Sequence, residues 1–394
     1  MMQKKNIWAV LAAVLLMVLA TNGVMADEDV FTSGDYQYCI LEDGTAEITR
    51  YSGEDEVLKI PETLEGKTVT SIGKWAFALR RSLMRVELPD GVTSIGDRAF
   101  YQCDALRSIE LPDSVTSMGE NPFGDCRSLK NIQVSPEQPV FEVIDGVLFN
   151  KEEKSLICYP AGKQEETYEI PQGIQQIKFG AFSGDYYLTS ITLPDSMTSI
   201  SANPFASCMK LKNILISPEQ PVFAVMDGVL FNKTEKSLIC YPAGKREEAY
   251  EVPQGIQQIK LGAFSNCIFL TDIELPDSVT SIEDRVFFSC ISLTSIELPD
   301  GVTSIGNMTF YGCQFLTNIE LPNGVTSIGD SAFYGCSSLV GIELPDSVTS
   351  IGDYAFEYCE NLTITVQRDS YAARYAKDKN LKYTYPDAND WLNN

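Results

Sequence analysis

The chain has 394 residues, with 30 Lys and Arg against 54 Asp and Glu, a formal charge of −24, and no histidine. An acidic excess of this size disfavours nucleic acid and anionic membrane surfaces as partners. The missing histidine removes Ser-His-Asp and Cys-His catalysis, histidine-ligated zinc and histidine pH switching.

At the N-terminus, Lys4 and Lys5 precede an apolar run over residues 7–20, and Val24-Met25-Ala26 fits a small-residue cleavage site. Residues 1–26 therefore read as a signal peptide cut between Ala26 and Asp27, since the apolar run is too short to span a bilayer comfortably. The leader holds two Lys and no acid, so cleavage leaves 28 basic and 54 acidic residues, a charge of −26. The expected destination is extracellular, with no membrane span after cleavage and no recognisable surface anchor.

Residues 27–59 predict a cap. Residues 36–41 and 46–51 alternate in polarity around a turn at Asp43-Gly44, the pattern of a β-hairpin. From residue 60 to 366 a block ending in LPDxVTSIGxxAFxxCxxL recurs, most often every 23 residues. A fixed period in this range means a solenoid whose stacked rungs bury one core. In the rung from Leu293, apolar Leu293, Ile296 and Leu298 alternate with polar Ser295 and Glu297, a half-buried strand. Pro299 ends it for want of an N–H. Asp300-Gly301 turns the chain, residues 302–305 make a second extended piece, and Gly306 breaks that piece. Residues 308–313 then fit a helical or 3₁₀ turn that drops Phe310 and Cys313 inward. The expected fold is a single curved, β-rich solenoid of about twelve rungs with capped ends. Its strands should line the concave face, and its turns the opposite one.

Two rungs, 134–170 and 216–252, take 36 residues and carry near-identical inserts with Asp145-Gly146 and Asp227-Gly228 at their centres. Such dipeptides between alternating apolar residues signal hairpins, with Tyr159 and Tyr241 expected to pack beneath them. Residues 367–394 predict a closing cap, in which Ser370 starts a short helix through Ala376 and residues 381–385 add a last strand.

Phe77, Phe100, Phe123, Phe182, Phe205, Phe264, Phe287, Phe310, Phe333 and Phe356 recur in register and should stack as an aromatic spine. Three residues after most of them comes a cysteine, at 103, 126, 208, 267, 290, 313, 336 and 359. Side chains pointing the same way on neighbouring rungs suit a cross-link poorly, so this column reads as small, buried free thiols. There is no CxxC for thiolate zinc.

The residue before each rung-ending Leu or Ile should face the concave surface and is often Glu. Glu251, Glu274, Glu297, Glu320 and Glu343 occupy consecutive rungs, with Asp272 beside them, and residues 251–366 hold 15 acidic residues against Lys260 and Arg285 alone. This ladder is the candidate binding surface, for a cationic or basic partner; the alternative is a solvated strand face multiplied by duplication. Ladder neighbours meet the carboxylate spacing of glycoside hydrolysis. They lack the differentiated environments and the pocket that catalysis needs. No catalytic residue, metal ligand or cofactor is therefore assigned, and no loop has a recognisable calcium spacing.

The blocks IELPDGVTSIGNMTFYGCQFLTNIELP (296–322) and IELPNGVTSIGDSAFYGCSSLVGIELP (319–345), the DGVLF…YP inserts and the SYAARYA cap resemble the BspA-like, or Treponema-type, leucine-rich repeat family. The resemblance covers roughly residues 36–385. It implies a secreted or surface-displayed bacterial protein, adhesin-like in some members, which recognises protein or glycan partners through its concave face and inserts without catalysing a reaction. A structural or matrix component without a specific ligand is the other expectation.

Overall fold

The computed structural model describes residues 29–386. The leader and its cleavage point at Ala26 and Asp27 lie outside the described residues, as do residues 387–394.

One rung shows how the sequence makes the coil. Ser295–Glu297 is a strand, with Ile296 buried between exposed neighbours. Val302 donates to the carbonyl of Pro299 at 3.0 Å and turns the corner. Ser304–Ile305 forms the second short strand. The third side is a run of 3₁₀-type turns, in which Tyr311 N–H donates to Met308 O and Cys313 N–H to Phe310 O, at 3.2 and 3.1 Å. Met308 and Gly312 have φ of 54° and 69°, which stops the turns from propagating into a helix. The residues of positive φ, with Phe310 between them, point their N–H groups at the next rung instead. Met308, Phe310 and Gly312 donate to Asp330 O, Ala332 O and Tyr334 O, each at 2.8 Å. Left-handed backbone costs a non-glycine residue such as Met308 about 1–2 kcal/mol. The inter-rung bonds on that side offset it.

Neighbouring rungs are therefore bonded through strands and turns, with the strand sheets interrupted at the inserts. Twelve rung strands run from Val57–Lys59 to Gly341–Leu344, and Thr363–Val366 follows. Pairing is parallel and residue for residue, as in Ile296 against Ile319 and Ser304 against Ser327. Inside, Phe310 and Phe333 stack with ring centroids 5.3 Å apart and planes within 9°. Each cysteine of the column except Cys267 donates its thiol to a spine phenylalanine carbonyl one rung back, as Cys313 does to Phe287 O at 3.2 Å; Cys267 instead approaches Tyr241 O at 3.7 Å. The eight cysteines of the column, with Cys158 and Cys240, are free thiols, and all but Cys359 are buried. The second reason for cysteine at this position is thus a carbonyl that needs a small donor, which spacing alone does not reveal.

The ends are covered as their sequences predict. An antiparallel meander of Phe31–Ser33, Tyr36–Ile40 and Ala46–Tyr51 runs into the array, because Ala46–Tyr51 pairs parallel with Lys67–Ile72. At the far end Ser370 caps helix Tyr371–Asp378, its hydroxyl accepting from Ala373 N–H at 3.0 Å. Tyr383–Thr384 then pairs with the last rung strand.

The two inserts are built alike. Phe141–Ile144 and Val147–Asn150 form a hairpin whose turn residues, Asp145 and Gly146, both have positive φ, as a type I′ turn requires. A third strand, Ser155–Cys158, pairs antiparallel with the hairpin and parallel with Gln176–Ile177 of the next rung. The insert is thus a rung with a hairpin grown out of it. Where the chain leaves the rung, buried Gln138 donates its amide to Val115 O at 2.6 Å and accepts from Val140 and Phe141 N–H. Tyr159 packs in one group with Val147 and Phe149 of the hairpin. It holds the rung's spine position, donating its N–H to Ala181 O at 2.7 Å and stacking on Phe182 at 5.2 Å. Tyr241 does the same against Ala263 and Phe264.

The inserts also divide the interior into three packed groups along one solenoid. Alternate residues of the first insert face opposite ways: Leu148 and Ile157 pack on the preceding rungs, Val147, Phe149 and Leu156 on the following ones.

The direction of the curve overturns one expectation. On the strand side the hairpin separates Asn131–Val134 from Thr167–Glu169, and the sheet ends there. On the turn side the rungs flanking the insert meet directly. Asp125 N–H donates to Ser183 O at 3.2 Å, and Ser183 Oγ donates to the Asp125 carboxylate. At the second insert Asn203 Nδ2 donates to Gly262 O at 3.0 Å. A wedge on one side and contact on the other bend the array towards its turns. The bend is tight enough for Trp75, on an early rung, to pack with Met308, Phe288 and the buried pair Tyr311 and Tyr334. The turns line the inside of the curve, and the strands do not.

Candidate functional site

The acidic ladder is assembled as its spacing predicts, on a strand face that looks away from the inside of the curve. Glu251 lies directly opposite Glu274, and Glu297 opposite Glu320, in parallel register. Asp272 lies between Ala249 and Ser295 on flanking strands. All six candidates, Glu251, Asp272, Glu274, Glu297, Glu320 and Glu343, are exposed, while the isoleucine or tyrosine beside each points inward. Their strands stand about 4.8 Å apart. At that distance like charges repel by roughly 1 kcal/mol in water.

Neither basic residue of the segment 251–366 compensates this, although Arg246 of the preceding rung lies over the Phe269 ring, 5.6 Å from its centre. Lys260 is held on another side of its rung by Glu235 and Glu283, at 3.0 and 3.4 Å. Arg285 stands in the turn layer, on the inside of the curve. The Thr271, Thr294 and Thr317 hydroxyls donate to the rung carbonyls before them, as Thr294 Oγ1 does to Thr271 O at 3.0 Å. The backbone at the ladder's edge is thereby satisfied, and the carboxylates remain free towards solvent.

Periodicity gave no warning of one further component. The position before the buried rung leucine is small or polar on most rungs, as at Ser82, Ala105, Ser128, Lys210, Ser292, Ser338 and Asn361. Two rungs of the acidic segment put an aromatic there instead, and both rings are exposed: Phe269 at 38% and Phe315 at 58%. Val340, which follows its rung leucine, is 61% exposed. Their signal was available as a departure of Phe269 and Phe315 from the mostly small or polar residues of that position. The ladder is thus a strip of carboxylates edged by apolar side chains.

Among the described residues no group of three or more Cys, Asp or Glu is placed to hold a metal ion, and no helix is long and apolar enough to cross a membrane.

These features define a class: a parallel solenoid of leucine-rich rungs with an unobstructed, charged strand face. The chain belongs to the BspA type leucine rich repeat region family, whose model matches residues 57–161, 158–234 and 243–363 in six copies. Among solved structures, a leucine rich cell surface protein from Faecalibacterium prausnitzii is 29% identical, with 88% of this chain and 96% of that one covered and a TM-score of 0.51. The pneumococcal vaccine antigen PcpA shares the fold at 19% identity, covering 91% of this chain and 98% of its own, also with a TM-score of 0.51. Among curated proteins nothing matches the chain.

Proposed function

We propose that the protein is a secreted, non-enzymatic, adhesin-like binding protein whose acidic strand face docks a basic polypeptide partner. One observation carries this reading: five glutamates on consecutive rungs, Glu251, Glu274, Glu297, Glu320 and Glu343, are exposed, form no ion pair among the described residues and are edged by exposed Phe269 and Phe315. A partner with Lys or Arg and apolar groups satisfies both halves of the strip. The family and the cell-surface description of the Faecalibacterium protein support display outside the cell.

The test uses residues 27–394 and a lysine-rich peptide as probe, with affinity followed against salt. Binding should weaken steeply as salt rises, because exposed charges are screened beyond about 8 Å at physiological ionic strength. Replacing Glu274, Glu297, Glu320 and Glu343 together by Gln should abolish binding and flatten the salt slope while leaving the fold intact. Phe315→Ser should weaken binding with the salt slope kept. Unchanged affinity in the quadruple variant would refute the ladder as the site and direct the search to the hairpin inserts, residues 141–159 and 223–241.

A further inference from the structure

We propose that the inside of the curve holds a second site, for a small organic carboxylate gripped between Arg98 and Arg285. The two residues occupy the same place on widely separated rungs, two positions before the spine aromatics Phe100 and Phe287. Both have positive φ, 52° and 57°. The bend brings them to one cavity of about 160 Å³, whose walls include Trp75, Phe179, Asn203 and Phe288. The Arg98 guanidinium carbon lies 5.0 Å from the Trp75 ring centre and 5.3 Å from that of Phe179, so its position is fixed by aromatic faces.

Neither guanidinium has a hydrogen-bond or ion-pair partner among the described residues. The nearest carboxylates are engaged elsewhere. Asp125 is buried and bonded to Ser183 and Tyr101. Asp284 accepts from the backbone and side-chain nitrogens of Asn307, at 2.7 and 3.0 Å. Burial pushes the pKa of Arg285 down and the charge of Arg98 adds to that, with neighbouring Asp284 and Tyr101 acting the other way. Two cations sharing a partly dry cavity repel one another, and an anion between them would remove that cost.

The walls choose the kind of anion. Planar guanidinium forks match a carboxylate bidentately. Aromatic walls favour an apolar body over a fully hydrated inorganic ion. A cavity of roughly 150 Å³ holds a single benzene ring, so a benzoate-sized carboxylate fits the space. The two glycines at the inserts permit the geometry. A Cβ at Gly180 would stand 2.5 Å from Asn121 Nδ2, and one at Gly262 would collide with Asn203 Nδ2, so side chains there would hold the rungs apart.

Titration calorimetry with benzoate, benzamide and inorganic phosphate tests this. Benzoate should bind and raise the unfolding temperature; benzamide, its uncharged counterpart, should bind at least tenfold more weakly. Arg98→Gln and Arg285→Gln should each weaken benzoate by about tenfold or more, the loss expected for a charge-assisted hydrogen bond. Arg85→Gln, on the strand face, should leave it unchanged. Should Arg98→Gln unfold for lack of its ring contacts, Arg98→Lys keeps the charge and removes the fork, and should still weaken benzoate. The proposal is overturned if benzoate gives neither heat nor a thermal shift, if benzamide binds equally, if phosphate binds and benzoate does not, or if the folded arginine variants bind as the parent does.

Discussion

The early and late rungs share one interior and carry opposite exteriors. Residues 57–134 contain ten acidic and ten basic residues; residues 251–366 contain 15 acidic and two basic. Yet Phe77 and Phe100 stack at 5.1 Å and 11°, almost as Phe287 and Phe310 do at 5.2 Å and 17°. On the strand face Arg85 pairs with Glu87 at 3.0 Å, while Glu297, in the same column as Glu87, has another glutamate opposite it. The rung constrains only the residues that point inward or turn the chain. Charge on the outward positions is therefore free to diverge, and a run of one sign there is a property of the surface, not a demand of the fold.

Deleting a spine ring breaks what the two segments have in common. Phe310→Ala should cost about 3–5 kcal/mol, as large-to-small core changes do, and Phe100→Ala should cost a similar amount despite its neutral surroundings. Urea denaturation of the two variants checks this. A loss below roughly 0.5 kcal/mol at either position, typical of surface substitutions, would show that its ring is not part of the core.

The next effect lies at the junction between segments. Gly262 has φ of 63°, and any Cβ there runs into the Asn203 side chain that bonds its carbonyl. Gly262→Ala should destabilise by about 1–3 kcal/mol, from left-handed strain and the forced displacement of Asn203. Gly255→Ala has φ of 88° but open space around it. It should lose less, which separates strain from collision.

That junction also marks where the sequence stops being legible. The spine, the strand columns, the type I′ hairpins and the Ser370 cap follow from local rules of period, turn chemistry and capping. The Glu251–Glu343 ladder follows from the same register. The bend does not, because it accumulates over many rungs and depends on two inserts wedging one side open. Arg98 and Arg285 look like isolated surface charges in the sequence, and only the closed curve places them together. Tyr159 and Tyr241 escaped notice as spine members because their rungs carry YPAG where the others carry AFxxC. Glu in the strand column was legible; which side of the curve it occupies was not.

Alkaline pH probes the thiol column. Burial raises the Cys290 thiol from its ordinary 9.0 to about 12, and Cys240 likewise. The folded state then keeps protons that the unfolded chain releases. The stability these thiols contribute is whole below pH 9 and is lost as pH rises from 9 towards 12. Cys290→Ala should make that decline shallower while lowering stability near neutrality. An identical alkaline slope in the variant would show that Cys290 plays no part in it. In the folded protein near neutral pH, Cys290 and Cys313 should resist thiol reagents until denaturant is added.

The smallest effect separates the two segments most sharply, because the same substitution should change sign between them. Glu87→Gln removes an exposed ion pair with Arg85 and should cost about 0.2–1 kcal/mol, the range measured for such pairs. Glu297→Gln removes a charge whose strand neighbours Glu274 and Glu320 repel it, so it should gain a few tenths of a kcal/mol, by the reverse of the same Coulomb interaction. Replacing Glu274, Glu297, Glu320 and Glu343 together should give a larger gain, since four adjacent repulsions disappear, the one with Glu251 included. Both changes are electrostatic and exposed, so both should shrink towards zero as salt shortens the screening length to about 3 Å at 1 M. Denaturation of the variants at low and high salt measures the two signs and their convergence. A loss on Glu297→Gln that survives high salt would mean that the glutamate supports the rung itself. The acidic face would then belong to the fold, and the freedom of its charge to serve a partner would be gone.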